Sequence, residues 1–332
     1  MTGSVTTARK SGQPRRPYPP ANTGRQPFHS APRSFPLRVF VCWLAVVLAG
    51  HALAGTVYRY KDAQGRWHFS DHPPRDGTFQ AEHLETQSAA PKAPLVQVTA
   101  RDGQRVLEAI NPWFGPVEMQ LEVKPLGLRR HWVMEPDSRE EILSRFSQRV
   151  SKEDIVFHWV VGDPAARPDT GRLYRPPLPP LQYFTISQSF NGRFSHFQEP
   201  SRYAVDIALP VGTPIHAARG GVVMAVRDDY AIGSARGYFL DKANYVRILH
   251  DDGTIALYAH LLLGGVEVKP GERVRSGQRI ARSGSTGYST GPHLHFVIQR
   301  NTGMKLRSVP FQFRWPDGSA VTPIPRMRLR GG

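Results

Sequence analysis

From Tyr183 onward, short apolar runs alternate with turns rich in Gly and Pro: "YFTISQSF", "YAVDIALP", "GGVVMAVRDD", "NYVRILHDDGTIALYAHL", "VEVKPGERVRSGQRIARSG" and "HLHFVIQ". No segment sustains a 3.6-residue period, so this half reads as all-β. Upstream, "VQVTA", "VEMQLEV", "HWVME" and "IVFHWVV" recur at spacings that predict a small β-sandwich. One segment there reads differently: "SREEILSRF" has Ser138 and Glu141 in capping-box positions and Ile142 and Phe146 four apart, the pattern of a short helix. Further upstream, "TVYRYKDAQGRWHFSD" sets two aromatic-rich runs around Asp62-Ala63-Gln64-Gly65, a hairpin signal.

These patterns divide the chain into a basic N-terminal segment (1–54), a β-hairpin module (55–75), a linker (76–96), a β-sandwich (97–177), a larger antiparallel β domain (178–316) and a basic tail (317–332). The Pro-dense "YRPPLPPLQYF" marks the boundary near residue 178, and the tail "RMRLRGG" is expected to fray. At 332 residues the chain has room for two or three domains with cores of their own.

Charge changes the picture at one end. Lys and Arg outnumber Asp and Glu by 43 to 27, and residues 1–54 hold seven basic residues and no acidic one. Within that segment an apolar run from Val39 to Ala49 follows Arg33 and Arg38 and ends in Ala52-Leu53-Ala54. Such an order predicts a secretory signal peptide cleaved before Gly55, and hence a periplasmic protein. An uncleaved segment would instead attach the chain to the inner membrane. Cys42, the single cysteine, lies in the apolar run, so the mature chain has neither disulfides nor thiolate ligands. The remaining basic excess suits a polyanionic partner. Nucleic acid is not expected, because the basic residues are dispersed and form no recognised nucleic-acid motif.

The candidate chemistry begins at "STGPHLHFVIQ". His293 and His295, two apart on a strand, project from one face; that suits a metal site, or simply two polar residues on a solvated face. Asp206 lies in the apolar run "YAVDIALP", where an unpaired carboxylate is costly and a metal or hydrogen bonds must compensate. His260 sits in the equally apolar "LYAHL".

With these residues in place, the stretch from 183 to 305 resembles the lysostaphin/LytM-type zinc metalloendopeptidases, which cut peptide cross-links in bacterial peptidoglycan. The resemblance rests on "AVDIALPVGTPIHAARGGVV", "NYVRILHDDGTIALYAHL" and "VKPGERVRSGQRIARSGSTGYSTGPHLHF", in that order. "VYRYKDAQGRWHFSDHPP" in turn resembles a small module of unknown role on exported proteins. By resemblance, Asp206 and His295 are zinc ligands, while His260 and His293 handle the water and the developing oxyanion.

One departure matters. The compact family motif is His-x-x-x-Asp, and this chain has Arg202 four residues before Asp206. His196, ten residues before Asp206 in "GRFSH", is the expected third ligand, nine intervening residues being enough to loop out; His216 and His250 are its competitors. The resemblance thus implies a Zn2+-dependent endopeptidase that acts on peptidoglycan in cell-wall remodelling. Its alternative, motivated by Arg202, is a zinc-free, catalytically degenerate wall-binding module that activates other hydrolases.

Overall fold

A computed structural model describes residues 55–61, 67–70, 80–84 and 92–332. The expected signal segment and Cys42 lie outside the described residues. Among the described residues the chain is nearly all β, with three single-turn 3-10 segments and no α-helix.

The hairpin forms, Gly55–Lys61 pairing antiparallel with Trp67–Ser70. It is not alone. Gln80–Leu84, inside the segment read as a linker, pairs with the other edge of Gly55–Lys61 and completes a three-stranded sheet. The physical reason is that a two-stranded hairpin is marginal in water, and a third strand supplies the missing ladder.

The sandwich comprises two three-stranded sheets. One orders Leu95–Arg101, Gln104–Asn111 and Ser138–Ser144; the other orders Leu128–Met134, Val117–Val123 and Ile155–Val161. Leu107, Ala109, Val117, Met119, Leu121, Val123 and Met134 form the core between them. The helix read over "SREEILSRF" is corrected here, since Ser138–Ser144 is a strand paired with Gln104–Asn111. Strand pairing lets Glu140 accept from Trp132 Nε1 at 2.9 Å and Arg139 reach the buried Glu108 at 3.2 Å. These tertiary partners outweigh a helix of about two turns, which is marginal in isolation. Ser138 Oγ donates to Glu135 O rather than capping anything.

The sandwich is joined to the C-terminal domain by an apolar cluster and a buried carboxylate. Trp113 and Val161 pack with Met224, Ala225 and Ile255. Glu118 Oε2 accepts from Asn301 Nδ2 at 2.7 Å and from the Met304 N–H at 2.6 Å. Burial pushes the Glu118 carboxyl up, but these donors and His131 outweigh it and hold it below the usual range.

In the C-terminal domain a long antiparallel sheet runs Arg273–Val274, Gly221–Arg227, Tyr245–Leu249, Ile255–Ala259, His293–Asn301, Val205–Ala208, Tyr183–Gln188 and Arg328–Arg330. Leu306–Ser308 pairs with His293–Asn301 besides. A smaller sheet orders Pro214–His216, Arg279–Ser283 and Leu261–Val266. Ile186, Val205, Ile207, Val246, Tyr258, Leu294 and Phe296 build the core on one face of the long sheet, as period-2 alternation requires.

The expected fraying of the tail is overturned. Arg328–Arg330 is the last strand of the long sheet, with Leu329 fully buried and both arginines over the Tyr183 ring at 5.3 and 5.8 Å. The sequence Arg-Leu-Arg is itself an alternating pattern, too short to be recognised without its partner strand. The Pro-dense segment also packs on this domain, since Leu173–Tyr174 pairs in parallel with Gln312–Arg314 and Leu178 is fully buried.

Candidate metal centre and groove

The site is set by register. Val205–Ala208 pairs with His293–Asn301 so that Asp206 faces His295 and Ala208 faces His293. Val205, Ile207, Leu294 and Phe296 take the core face, so alternation sends Asp206, His293 and His295 to the opposite one. There His295 Nδ1 lies 2.9 Å from Asp206 Oδ1. His196, fully buried, brings its Nε2 to 3.1 Å from the same oxygen. The three potential ligand atoms of His196, Asp206 and His295 lie within 4.8 Å of one another.

His196 reaches this point on a loop closed at its neck, where the Asn191 N–H donates to Arg202 O at 2.7 Å. Its Nδ1 lies 3.0 Å from Ser189 O, so Nδ1–H donates there and the Nε2 lone pair is directed at the cluster. Arg202 turns away: it is half exposed, with its Nε 4.0 Å from Glu199 Oε1. Neither competing histidine reaches the cluster. His216 is half-buried on Pro214–His216. His250 is buried elsewhere, with Nδ1 2.9 Å from Gly220 O.

His260 is placed by a backbone exception. Tyr258, two residues earlier, points into the core, where its hydroxyl accepts from the Ala218 N–H at 2.8 Å. Strict alternation would bury His260 beside it. Instead His260 has φ 64°, in the left-handed region, which breaks the alternation and turns the imidazole into the groove. Its Nδ1 lies 2.7 Å from Thr286 O, and its ring centroid is 4.5 Å from that of His293. His293 is held likewise, with Nδ1 2.8 Å from Gly291 O and Nε2 3.8 Å from Asp206 Oδ1. Both histidines therefore present Nε2 to the cluster.

Asn244, fully buried, orders the segment behind His260. Its N–H donates to Thr286 Oγ1 at 3.1 Å and its Nδ2 to Tyr230 O at 2.7 Å. Gly287 follows Thr286 with φ 77°, and a Cβ there would lie 2.7 Å from Ala243, so no other residue fits this turn without moving it.

Electrostatics follow from burial. Burial pushes the Asp206 carboxyl up, yet the His196 and His295 imidazoles set against its Oδ1 outweigh it, holding the group well below the carboxylate range. His295 is pushed down chiefly by burial. His260 is pushed down to about 3 by burial and by its neighbours His293 and His295.

His250 gives a structural counterpart. Burial pushes it down to about 4, so it folds neutral. The unfolded chain takes up this proton near 6.5 and the folded one does not, so folding stability falls as pH drops from 6.5 to 4, by up to about 3 kcal/mol. His250→Gln should flatten that part of the pH dependence, measured as unfolding free energy at pH 7 and pH 4.5.

Sequence reasoning missed Gln188. Its Nε2 donates to Asp206 Oδ2 and to Ser195 Oγ, both at 2.8 Å, while its Oε1 accepts from the Phe194 N–H at 3.1 Å. One amide thus orients the Asp206 carboxylate and pins the loop that carries His196. No local signal pointed to it: alternation from the buried Ile186 directs Gln188 to the core face, and only the register shift between the two sets it opposite Asp206. Gln188→Ala is expected to weaken divalent-metal affinity by about 10- to 100-fold, read by competition with a chromogenic chelator.

The cluster lies in a groove of about 780 Å3. Phe194, from the His196 loop, stacks on Tyr288, from the Gly- and Ser-rich loop, with centroids 6.0 Å apart, and Leu240 lines the same groove.

Comparison with known proteins bears on the same segment. Residues 200–307 match peptidase family M23, and residues 44–100 match a domain of unknown function, DUF4124. The chain is 34% identical over 124 residues to an uncharacterized metalloprotease of Buchnera aphidicola, covering 36% of this chain and 30% of that protein. It is 41% identical over 116 residues to the peptidoglycan DD-endopeptidase ShyA of Vibrio cholerae, covering 34% of this chain and 24% of that one. Among solved structures, lysostaphin of Staphylococcus simulans aligns at 29% identity and a TM-score of 0.28, covering 38% of this chain and 47% of that chain. The chain spans less than a third of the length of these two curated relatives. The match to peptidase family M23, over residues 200–307, spans the residues that carry Asp206, His260, His293 and His295.

Proposed function

We propose that this domain is a zinc endopeptidase that hydrolyses peptide cross-links of peptidoglycan in the periplasm, the bond being that between D-Ala and meso-diaminopimelate. The observation that carries the reading is the convergence of His196 Nε2, Asp206 Oδ1 and His295 Nδ1, with His260 and His293 beside them. Two nitrogens and one oxygen are the donor set of a catalytic zinc that keeps one position open. When bound, the ion supplies Lewis acidity to the scissile carbonyl and lowers the pKa of water.

The chain's own groups do the rest. Gln188 donates Nε2–H to Asp206 Oδ2 and so orients the carboxylate, leaving Oδ1 turned to His196 Nε2 and His295 Nδ1 as the third donor to the ion. His260 is held neutral by burial and donates Nδ1–H to Thr286 O, so its Nε2 lone pair is free to accept the proton of the attacking water. His293, when protonated, donates Nδ1–H to Gly291 O and Nε2–H towards the oxyanion or the departing amine. Phe194 stacked on Tyr288 forms one wall of the groove in which an extended peptide can lie. Relatives named as peptidoglycan endopeptidases support the substrate class.

The zinc-free alternative rests on Arg202, and Arg202 directed at Glu199 removes that support. Metal analysis of the purified domain together with muropeptide release from isolated sacculi tests the proposal. One zinc per chain and cross-link cleavage abolished by chelation are expected; a metal-free, inert wild type overturns it.

A further inference from the structure

Arg247 presents an unclaimed cation in the groove. Tyr245 pairs with Ala259 and Ala259 with His295, so Tyr245 and Arg247 share the sheet face of the metal cluster. Two strands across and two residues along place the Arg247 Cα about 12 Å from that of His295. The side chain lines the groove.

Its partners are neutral. Nη1 donates to Gln299 Oε1 at 3.0 Å, and the guanidinium carbon lies 5.5 Å from the Tyr245 ring centroid. Gln299 is itself fixed by donating Nε2 to Pro200 O at 3.1 Å. Nε is buried without a hydrogen-bond partner. Among the described residues no carboxylate forms an ion pair with Arg247, whereas Arg219 pairs with Asp252 and Arg227 with Asp229. Burial pushes the Arg247 guanidinium down from its ordinary range, the mark of a cation held without a counter-charge.

The groove also has an end here. Tyr245 and Leu249, which flank Arg247 on its strand, both pack against the cluster that Trp113 and Val161 form with Ile255, so the sandwich lies against the sheet face beside the guanidinium. A peptide lying on the sheet meets Arg247 where its path stops.

We propose that Arg247 is a specificity-determining residue that binds a carboxylate of the substrate peptide, two to three residues from the bond that is cut. An extended chain advances about 3.3–3.6 Å per residue, which sets that spacing against the 12 Å separation once the length of the side chain is allowed for. A guanidinium suits this task because its donors match both carboxylate oxygens. The carboxylate can be the terminal one of the peptide or one on a side chain. The inference rests on the proposed peptidase reading.

The test uses the full mature chain and a synthetic cross-linked stem-peptide dimer in three forms: all carboxylates free, the terminal carboxylate amidated, or the side-chain carboxylate amidated. For the wild type, one amidation should lower kcat/KM by about 10- to 100-fold, chiefly through KM, and identify the source. Arg247→Gln should lose the same factor on the free substrate and lose nothing further on the amidated one. Arg247→Lys should recover part of it. Metal content and unfolding temperature report whether each variant folds. Indifference of the wild type to both amidations, or losses that multiply, overturns the carboxylate assignment while leaving the peptidase reading intact. A wild type that cleaves none of the three overturns both.

Discussion

His196→Ala should strip the divalent metal from the purified domain and lower cross-link cleavage by about three orders of magnitude, since a two-ligand remnant can neither hold the ion nor keep its charge in place. The size of the effect follows from burial. His196 is fully enclosed and offers Nε2 at 3.1 Å to the carboxylate oxygen that His295 also touches, so its loss removes one of three converging donors. Arg202→Ala is the matched control, because Arg202 is half exposed and directed at Glu199. Metal content by elemental analysis and muropeptide release by chromatography check both variants. Full zinc occupancy and unchanged cleavage in His196→Ala would remove it from the site, whatever the activity of the wild type.

His260→Ala should separate binding from chemistry. The residue touches none of the three grouped ligand atoms, so metal content is expected to stay at the wild-type level, while kcat falls by about 10²- to 10⁴-fold with the loss of a general base. The left-handed backbone at this position adds a second consequence. A non-glycine residue there stores about 1–3 kcal/mol of strain, which Asn244, Thr286 and Gly287 hold in place, so the alanine variant should fold. Metal content, kcat and unfolding temperature measured on one preparation decide the matter; loss of zinc in His260→Ala would make it a ligand rather than a base.

Much of the fold was legible because period-2 alternation is local. "HLHFVIQ" and "YAVDIA" each display which residues share a face, and the two faces meet in the observed register. What escaped was pairing over long sequence distances. Ser138–Ser144 carries helix signals that only the Gln104–Asn111 strand overrides, and Gln80–Leu84 is polar enough to pass for a linker until the Gly55–Lys61 strand recruits it. In the site, Asp206, His260, His293 and His295 could be read from their apolar surroundings. Gln188 could not, because a glutamine at a strand end acquires meaning only when a bulge sets it opposite Asp206. His260 was legible as a residue but not in orientation, since a single left-handed φ reverses the face that alternation assigns.

The closing strand Arg328–Arg330 carries a practical consequence for anyone trimming this protein to a minimal unit. A cut after residue 316, where the turn-rich sequence invites one, would strip the outer neighbour from Tyr183–Gln188 and leave its backbone N–H and C=O groups bare. That exposed edge would be free to recruit the same strand of another molecule, and Gln188, which steadies Asp206, lies at its end. The shortened form would therefore trade solubility and order at the ligand cluster together, for the sake of removing sixteen residues.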